Sequence, residues 1–97
     1  MMILVTYDVN TETSAGKRRL RRVAKECVNR GQRVQNSVFE CNVTPAMYVE
    51  LKASLNEIID EKKDSIRFYR LGKNWQGRVE TIGRDDTYDP EQDVFLL

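Results

Sequence analysis

Histidine is absent from this chain. Its absence removes the commonest general base and the commonest zinc ligand, so no Ser–His or Cys–His couple can form and any metal must rest on oxygen donors. Cysteine is scarce. Cys27 and Cys41 lie far apart and in no ligand spacing, which reads as two buried free thiols rather than a metal knuckle or a disulfide framework. Long apolar runs are missing as well. The longest is Met1 to Val5, far short of the ~20 residues that cross a bilayer. No secretory pattern opens the sequence, so the expectation is a soluble, cytoplasmic protein with no membrane partner. Two phosphate and RNA signatures are also lacking. "GKNWQG" does not carry the Gly-Lys-Ser/Thr order of a P-loop, and residues 33–41 lack the aromatic pattern of an RNA-recognition motif.

What is present fits one domain. The chain has 97 residues and a net charge of +1, and a domain of this size buries roughly two-thirds of its unfolded surface. The near-neutral sum hides a segregation. Residues 85–97 hold Asp85, Asp86, Asp89, Glu91 and Asp93 and no base, so residues 1–84 carry an excess of six positive charges. A basic body with an acidic tail suits a polyanionic partner. The division expected is a domain over 1–84 and an acidic linker with a C-terminal strand over 85–97, docking on a partner.

Periodicity supplies the elements. In residues 2–9, Ile3, Val5, Tyr7 and Val9 alternate with Met2, Leu4, Thr6 and Asp8, the pattern of a central strand. A helix follows to about Arg30, with Thr13 or Ser14 as N-cap and Leu20, Val23, Ala24, Cys27 and Val28 as its apolar stripe. Residues 32–43 are extended, and Asn36-Ser37 breaks them into a hairpin or bend. Thr44 caps a second helix with Pro45 in its first position, and Val43 and Tyr48 are placed for a hydrophobic staple. Its apolar face is Met47, Tyr48, Leu51, Leu55, Ile58 and Ile59. Strands follow over 65–71 and 79–83, then the linker and "DVFLL". The order is that of an α+β, ferredoxin-like βαββαβ sandwich with an extra C-terminal strand. Its helix-free sheet face would be covered by a second copy, giving a homodimer packed sheet to sheet.

Three features carry chemistry. Asp8 ends the first strand on the open face, where a two-fold dimer could bring its twin opposite. Paired carboxylates repel unless one takes a proton or a cation bridges them. Bridging Mg²⁺, with Mn²⁺ as the alternative, would polarise a phosphodiester. A plainer role for Asp8 is to bond the following loop. Second, "KRRLRRVAK" over 17–25 sets Arg18, Arg21, Arg22 and Lys25 opposite the apolar stripe, with only Glu12 and Glu26 near to neutralise them. That is either a solvated helix face or one that grips phosphates without reading sequence. Third, in "RVQNSVFE", strict alternation puts Arg33, Gln35, Ser37 and Phe39 on one face, which could share the open side of the sheet with Asp8 or serve as an edge or dimer contact.

Together "VTYDV", "KRRLRRVAK", "GQRVQNSVFEC", "DSIRFYRLG" and "VETIG" resemble the Cas2 family of small CRISPR-associated proteins, in order and over essentially the whole chain. The resemblance implies a ferredoxin-like homodimer that partners the Cas1 integrase in spacer acquisition, bridging two of its dimers. It also implies metal-dependent endonuclease activity on RNA or DNA, with Asp8 as catalytic and Mg²⁺-binding residue. Arg33 and Phe39 match positions linked to activity, and first-helix arginines are implicated, with Arg18, Arg19 and Arg22 as candidates. The nucleic-acid-binding set is then Lys17, Arg18, Arg19, Arg22, Lys25 and Arg33, with Tyr7, Ser37 and Phe39 in support. Against the nuclease stand two other readings: a non-catalytic DNA scaffold, and a ferredoxin-like regulatory dimer for a small ligand.

Overall fold

The computed structural model describes residues 1–72 and 79–84. The expected acidic linker and "DVFLL" strand, and most of the "GKNWQGR" loop, lie outside the described residues. Within them the order is β1 (Met2–Asp8), α1 (Ser14–Val28), β2 (Gly31–Gln35), β3 (Val38–Asn42), α2 (Pro45–Ile58), β4 (Ser65–Arg70) and β5 (Val79–Gly83).

The caps fix where the helices begin. Thr13 Oγ1 accepts from the Gly16 N–H at 3.0 Å, and Thr44 Oγ1 accepts from the Met47 N–H at 3.2 Å, each satisfying an orphan donor of a first turn. Val43 and Tyr48 are both buried, as the staple requires. Gly16 is demanded by packing. A Cβ there would run into the Asn10 carbonyl, so α1 lies directly on the loop that leaves β1.

The five strands form one antiparallel sheet in the order β2-β3-β1-β4-β5. The first four strands have the ferredoxin-like order, and β5 extends the β4 edge. Ile3 and Val5 of β1, Phe39 and Cys41 of β3 and Ile66 and Phe68 of β4 point to the helices and are fully buried. They meet Val23 and Cys27 of α1 and Leu51 and Leu55 of α2 in one core. Each such aliphatic or aromatic side chain stabilises the fold by about 2 kcal/mol through burial alone. Two expected core positions are exposed: Val28 ends α1 beyond the sheet, and Met47 is in the first turn of α2.

Both thiols are buried and free, as expected. Burial, followed by the neighbouring Cys41 and Glu26, pushes the Cys27 thiol up to about 12. Since thiolate is the reactive form, neither cysteine is expected to react with iodoacetamide at pH 8 until the chain unfolds. Mass spectrometry of native and urea-treated protein would check this, and native labelling of Cys27 would contradict the packing.

Candidate nucleic-acid and metal site

The residues singled out in the sequence fall on two opposite sides of the sheet. Asp8 is the last residue of β1, opposite Ser65 of β4, on the side away from the helices. Its side chain is 73% exposed and accepts from Arg84 Nη2 at 2.9 Å. Leu4, Val38 and Tyr69 share that face and are half-buried in the single chain.

Tyr7, the neighbour of Asp8, points the other way. Its hydroxyl donates to the Asn36 carbonyl at 3.2 Å. Its ring stacks on Phe39 with centroids 6.0 Å apart, and the Arg33 guanidinium lies over Phe39 at 5.1 Å. Burial pushes the Tyr7 phenol up, while Arg33 pulls it back. A cleft of about 340 Å³ opens here between α1 and the β2–β3 turn, lined by Tyr7, Leu20, Arg21, Ala24, Arg33, Asn36 and Ser37.

Arg33 and Phe39 therefore do not share the open face with Asp8, and the one-face reading of Arg33, Gln35, Ser37 and Phe39 is corrected. Arg33 pairs with Phe39 on the helix side, but a register shift between Arg33 and Gln35 sets Gln35 opposite Val38. One extra residue in a strand reverses the facing of all that follows. Phe39 is fully buried, so it acts as the platform under Arg33 rather than as a surface that ligand can reach.

Helix α1 sorts its bases in the same residue-by-residue way. Lys17, Arg18, Arg21, Arg22 and Lys25 are exposed, and the ion pairs among the described residues use none of them. Arg18, Arg22 and Lys25 follow at i, i+4 and i+7, one outward stripe, and Arg21 turns toward the cleft. Arg19 departs from the expectation. Its Nε donates to Asp64 Oδ2 at 2.7 Å and its Nη2 to Oδ1 at 3.4 Å, so this guanidinium is engaged inside the fold and is withdrawn from the phosphate-binding set.

Asp64 is the neighbour of the site that sequence reasoning missed. It is fully buried and also accepts from the backbone N–H groups of Asn10 and Asp60, both at 2.9 Å. Burial pushes its carboxyl up, but the Arg19 guanidinium and the two N–H donors outweigh this and hold it below the usual carboxylate range. Asp64 thereby ties the loop after Asp8 to the turn before β4. In sequence it sits in "DEKKD" and looks like any solvated acid. The one available signal is Arg19 itself, four residues before buried Val23 and so at the margin of the apolar stripe.

Among the described residues no group of three or more His, Cys, Asp or Glu side chains could hold a metal ion. Asp8 alone is a hard oxygen donor of the right kind for Mg²⁺, but one exposed carboxylate does not make a cage. Among the described residues the donor set does not fit the ion.

Fold and site together define a small ferredoxin-like α+β protein with a basic outer helix and a lone carboxylate ending its central strand. The family model for CRISPR associated protein Cas2 matches residues 1–79. The chain is 62% identical over 96 residues to the CRISPR-associated endoribonuclease Cas2 of Chlorobaculum tepidum, covering 99% of this chain and 100% of that one. It is 54% identical over 96 residues to the CRISPR-associated endonuclease Cas2 of Halalkalibacterium halodurans, with 99% and 100% coverage. The crystal structure of Streptococcus pyogenes Cas2 at pH 6.5 superposes with a TM-score of 0.71 at 75% identity, over 86% of this chain and 100% of that one. The chain belongs to the Cas2 family of CRISPR-associated proteins.

Proposed function

We propose that this protein is the nucleic-acid-binding subunit of a CRISPR adaptation complex, a homodimer packed sheet to sheet that bridges the Cas1 integrase and grips duplex DNA or RNA through phosphates. The observation that carries this is helix α1, where five exposed bases, Arg18, Arg22 and Lys25 of them in one outward row, use none of their charge on ion pairs within the described residues. Bases so placed neutralise phosphates without reading sequence, as a scaffold for arbitrary fragments requires. The dimer is supported by the sheet face that no described element covers, where half-buried Leu4 and Val38 would leave water on pairing.

A second reading is favoured by Asp8 and by the endoribonuclease and endonuclease names of the relatives. Sheet-to-sheet pairing would set two Asp8 carboxylates across the symmetry axis, and together they would hold Mg²⁺ or Mn²⁺. Such an ion, when bound, polarises a phosphodiester and acidifies a coordinated water. The chain's own residues then do the rest. Each Asp8 would be a ligand of the ion, and the α1 bases, on the far side of the sheet, would hold phosphates farther along the same nucleic acid.

The test compares wild type with Asp8→Ala on labelled duplex DNA and single-stranded RNA, with Mg²⁺, Mn²⁺ or EDTA. Under the nuclease reading, wild type cuts, and both EDTA and the substitution lower cutting at least about 100-fold, the scale of losing an essential catalytic group, while dimer and nucleic-acid affinity survive. Binding without Asp8-dependent cutting leaves the scaffold role alone. Binding that ignores salt would defeat both and point to a small-ligand regulator.

A further inference from the structure

The cleft beside Tyr7 is built like a binding site, and the outer stripe of α1 does not use it. Its volume is about 340 Å³, near the small end of the roughly 300–1,000 Å³ of small-molecule sites. That is the scale of one nucleotide and not of a duplex. One wall is fixed by β1. The Tyr7 N–H donates to the Ser37 carbonyl at 3.1 Å, and the Tyr7 hydroxyl donates to the Asn36 carbonyl at 3.2 Å. With both carbonyls engaged, the β2–β3 turn offers the cleft the Asn36 amide and the Ser37 hydroxyl. Half-buried Leu20 and Ala24 supply apolar surface on the α1 side. Arg21 and Arg33 reach the cleft from two different elements. Neither joins an ion pair among the described residues, and no acid is among the described residues that line it. Arg33 is braced, with its guanidinium over Phe39 at 5.1 Å and its charge felt at the Tyr7 phenol.

We infer that this cleft is a subsite for a single nucleoside monophosphate unit, with its phosphate between Arg21 and Arg33 and its base against Leu20 and Ala24. Two guanidiniums that share a cleft without an acid repel each other, and an anion between them removes the repulsion. Inorganic phosphate would satisfy the charge and leave the apolar surface wet. A nucleotide covers both, because it carries a flat ring beside its phosphate. A guanidinium plane is itself a stacking surface for a base, and Phe39 holds that of Arg33 from beneath. The Asn36 amide and the Ser37 hydroxyl add neutral donors for the phosphate or the base edge. The unit can arrive as a free mononucleotide or as the unpaired end of a strand, and the chemistry in the cleft is the same. The inference rests on the nucleic-acid reading for the second source only. The cleft lies on the helix side of the sheet, so sheet-to-sheet pairing of two copies would leave it open.

The experiment titrates the isotope-labelled full chain with AMP, adenosine and inorganic phosphate in turn, following backbone amide signals by NMR. AMP is expected to shift Ala24, Arg33 and Ser37 saturably, and to bind about tenfold tighter than adenosine or phosphate, the scale of one charge-assisted hydrogen bond. Arg21→Gln and Arg33→Gln should each weaken AMP by about the same factor. Ala24→Leu fills the apolar surface and leaves every charge in place. It should abolish AMP binding yet keep blunt-duplex affinity within about twofold, because backbone binding follows charge. Arg33→Gln stands in should Ala24→Leu not fold. A second arm compares a blunt duplex with the same duplex carrying unpaired single-stranded ends. A gain in wild-type affinity that Ala24→Leu removes identifies the strand end as the source. AMP bound in the cleft with no such gain identifies the free nucleotide. No saturable AMP shift at the cleft, AMP binding that ignores Arg21 and Arg33, or phosphate bound there as tightly as AMP would overturn the subsite. If wild type fails to bind the blunt duplex, the nucleic-acid reading fails, and the AMP titration still decides the cleft.

Discussion

Asp64→Ala is expected to lower stability by about 3 kcal/mol, near the lower edge of what breaking a buried ion pair costs. The magnitude follows from what is left behind. Asp64 is fully buried and accepts four hydrogen bonds, two from Arg19 and one each from the Asn10 and Asp60 N–H groups. Alanine strands all these donors. The two backbone N–H groups are part-buried, and each lost partner costs about 1 kcal/mol or more. Arg19 keeps a side chain 16% exposed, so its charge recovers some hydration, which keeps the loss from rising higher. For a chain of this size the melting temperature should fall by roughly 15 °C, and thermal and urea melts would measure it. Asp64→Asn, which still accepts from backbone, should lose less. A fall under 1 kcal/mol for Asp64→Ala would mean the clamp is not stabilising.

The same network sets an acid limit. The Asp64 carboxyl is held below its ordinary value, and Glu80 is held low as well, chiefly by the Lys52 ammonium. A carboxyl lowered in the folded state binds fewer protons there than in the unfolded chain. Its contribution is whole above the unfolded value, near pH 4, and is lost as pH falls through the lower folded value. Wild-type stability should therefore decline below about pH 4, and Asp64→Asn should show a shallower decline, because it has removed one of the titrating groups.

The elements were legible in the sequence because each is announced locally. Thr13 and Thr44 cap, Pro45 begins, and the alternation of β1 divides its faces as the structure does. The ferredoxin-like order follows from those elements alone. Long-range and register effects were not legible. The shift between Arg33 and Gln35 is one residue of backbone with no composition signal, and it parts Gln35 from Arg33 and Phe39, whose facing away from Asp8 is set by the pairing of Phe39 with Val5. The Arg19–Asp64 pair spans 45 residues, and a buried charge pair is spelled with the same letters as two solvated charges. Nothing in the sequence marks Arg84 among the other bases, and its contact with Asp8 comes from where Gly83 turns the chain.

Replacing the α1 stripe is expected to have the largest functional effect. The triple variant Arg18→Gln, Arg22→Gln, Lys25→Gln removes three exposed bases in one row, spread over about 10 Å of helix at 1.5 Å per residue. Each base that neutralises a phosphate of B-DNA releases close to one counterion, so the slope of log K against log salt should become shallower by about 2.7. At 0.1 M salt that corresponds to a loss of roughly 10²- to 10³-fold in duplex affinity, nearly independent of sequence. Stability should hardly change, because glutamine matches arginine and lysine in helix propensity and no ion pair among the described residues is broken. Titrating wild type and variant with one duplex at several salt concentrations measures both quantities. Arg21→Gln with Arg33→Gln is the discriminating partner. These two line the cleft beside Tyr7 rather than the outer stripe, so a slope that responds to them and not to the triple variant would move the phosphate path off the helix and into the groove by the β2–β3 turn. Equal responses would place the backbone along both, with Arg21 joining the two surfaces, and that path runs on the side of the sheet away from Asp8. Nucleic acid gripped there reaches the carboxylate only around the edge of the sheet or from the second subunit, so a large α1 effect on binding together with a small one on any cutting is what separates holding from hydrolysis in this fold.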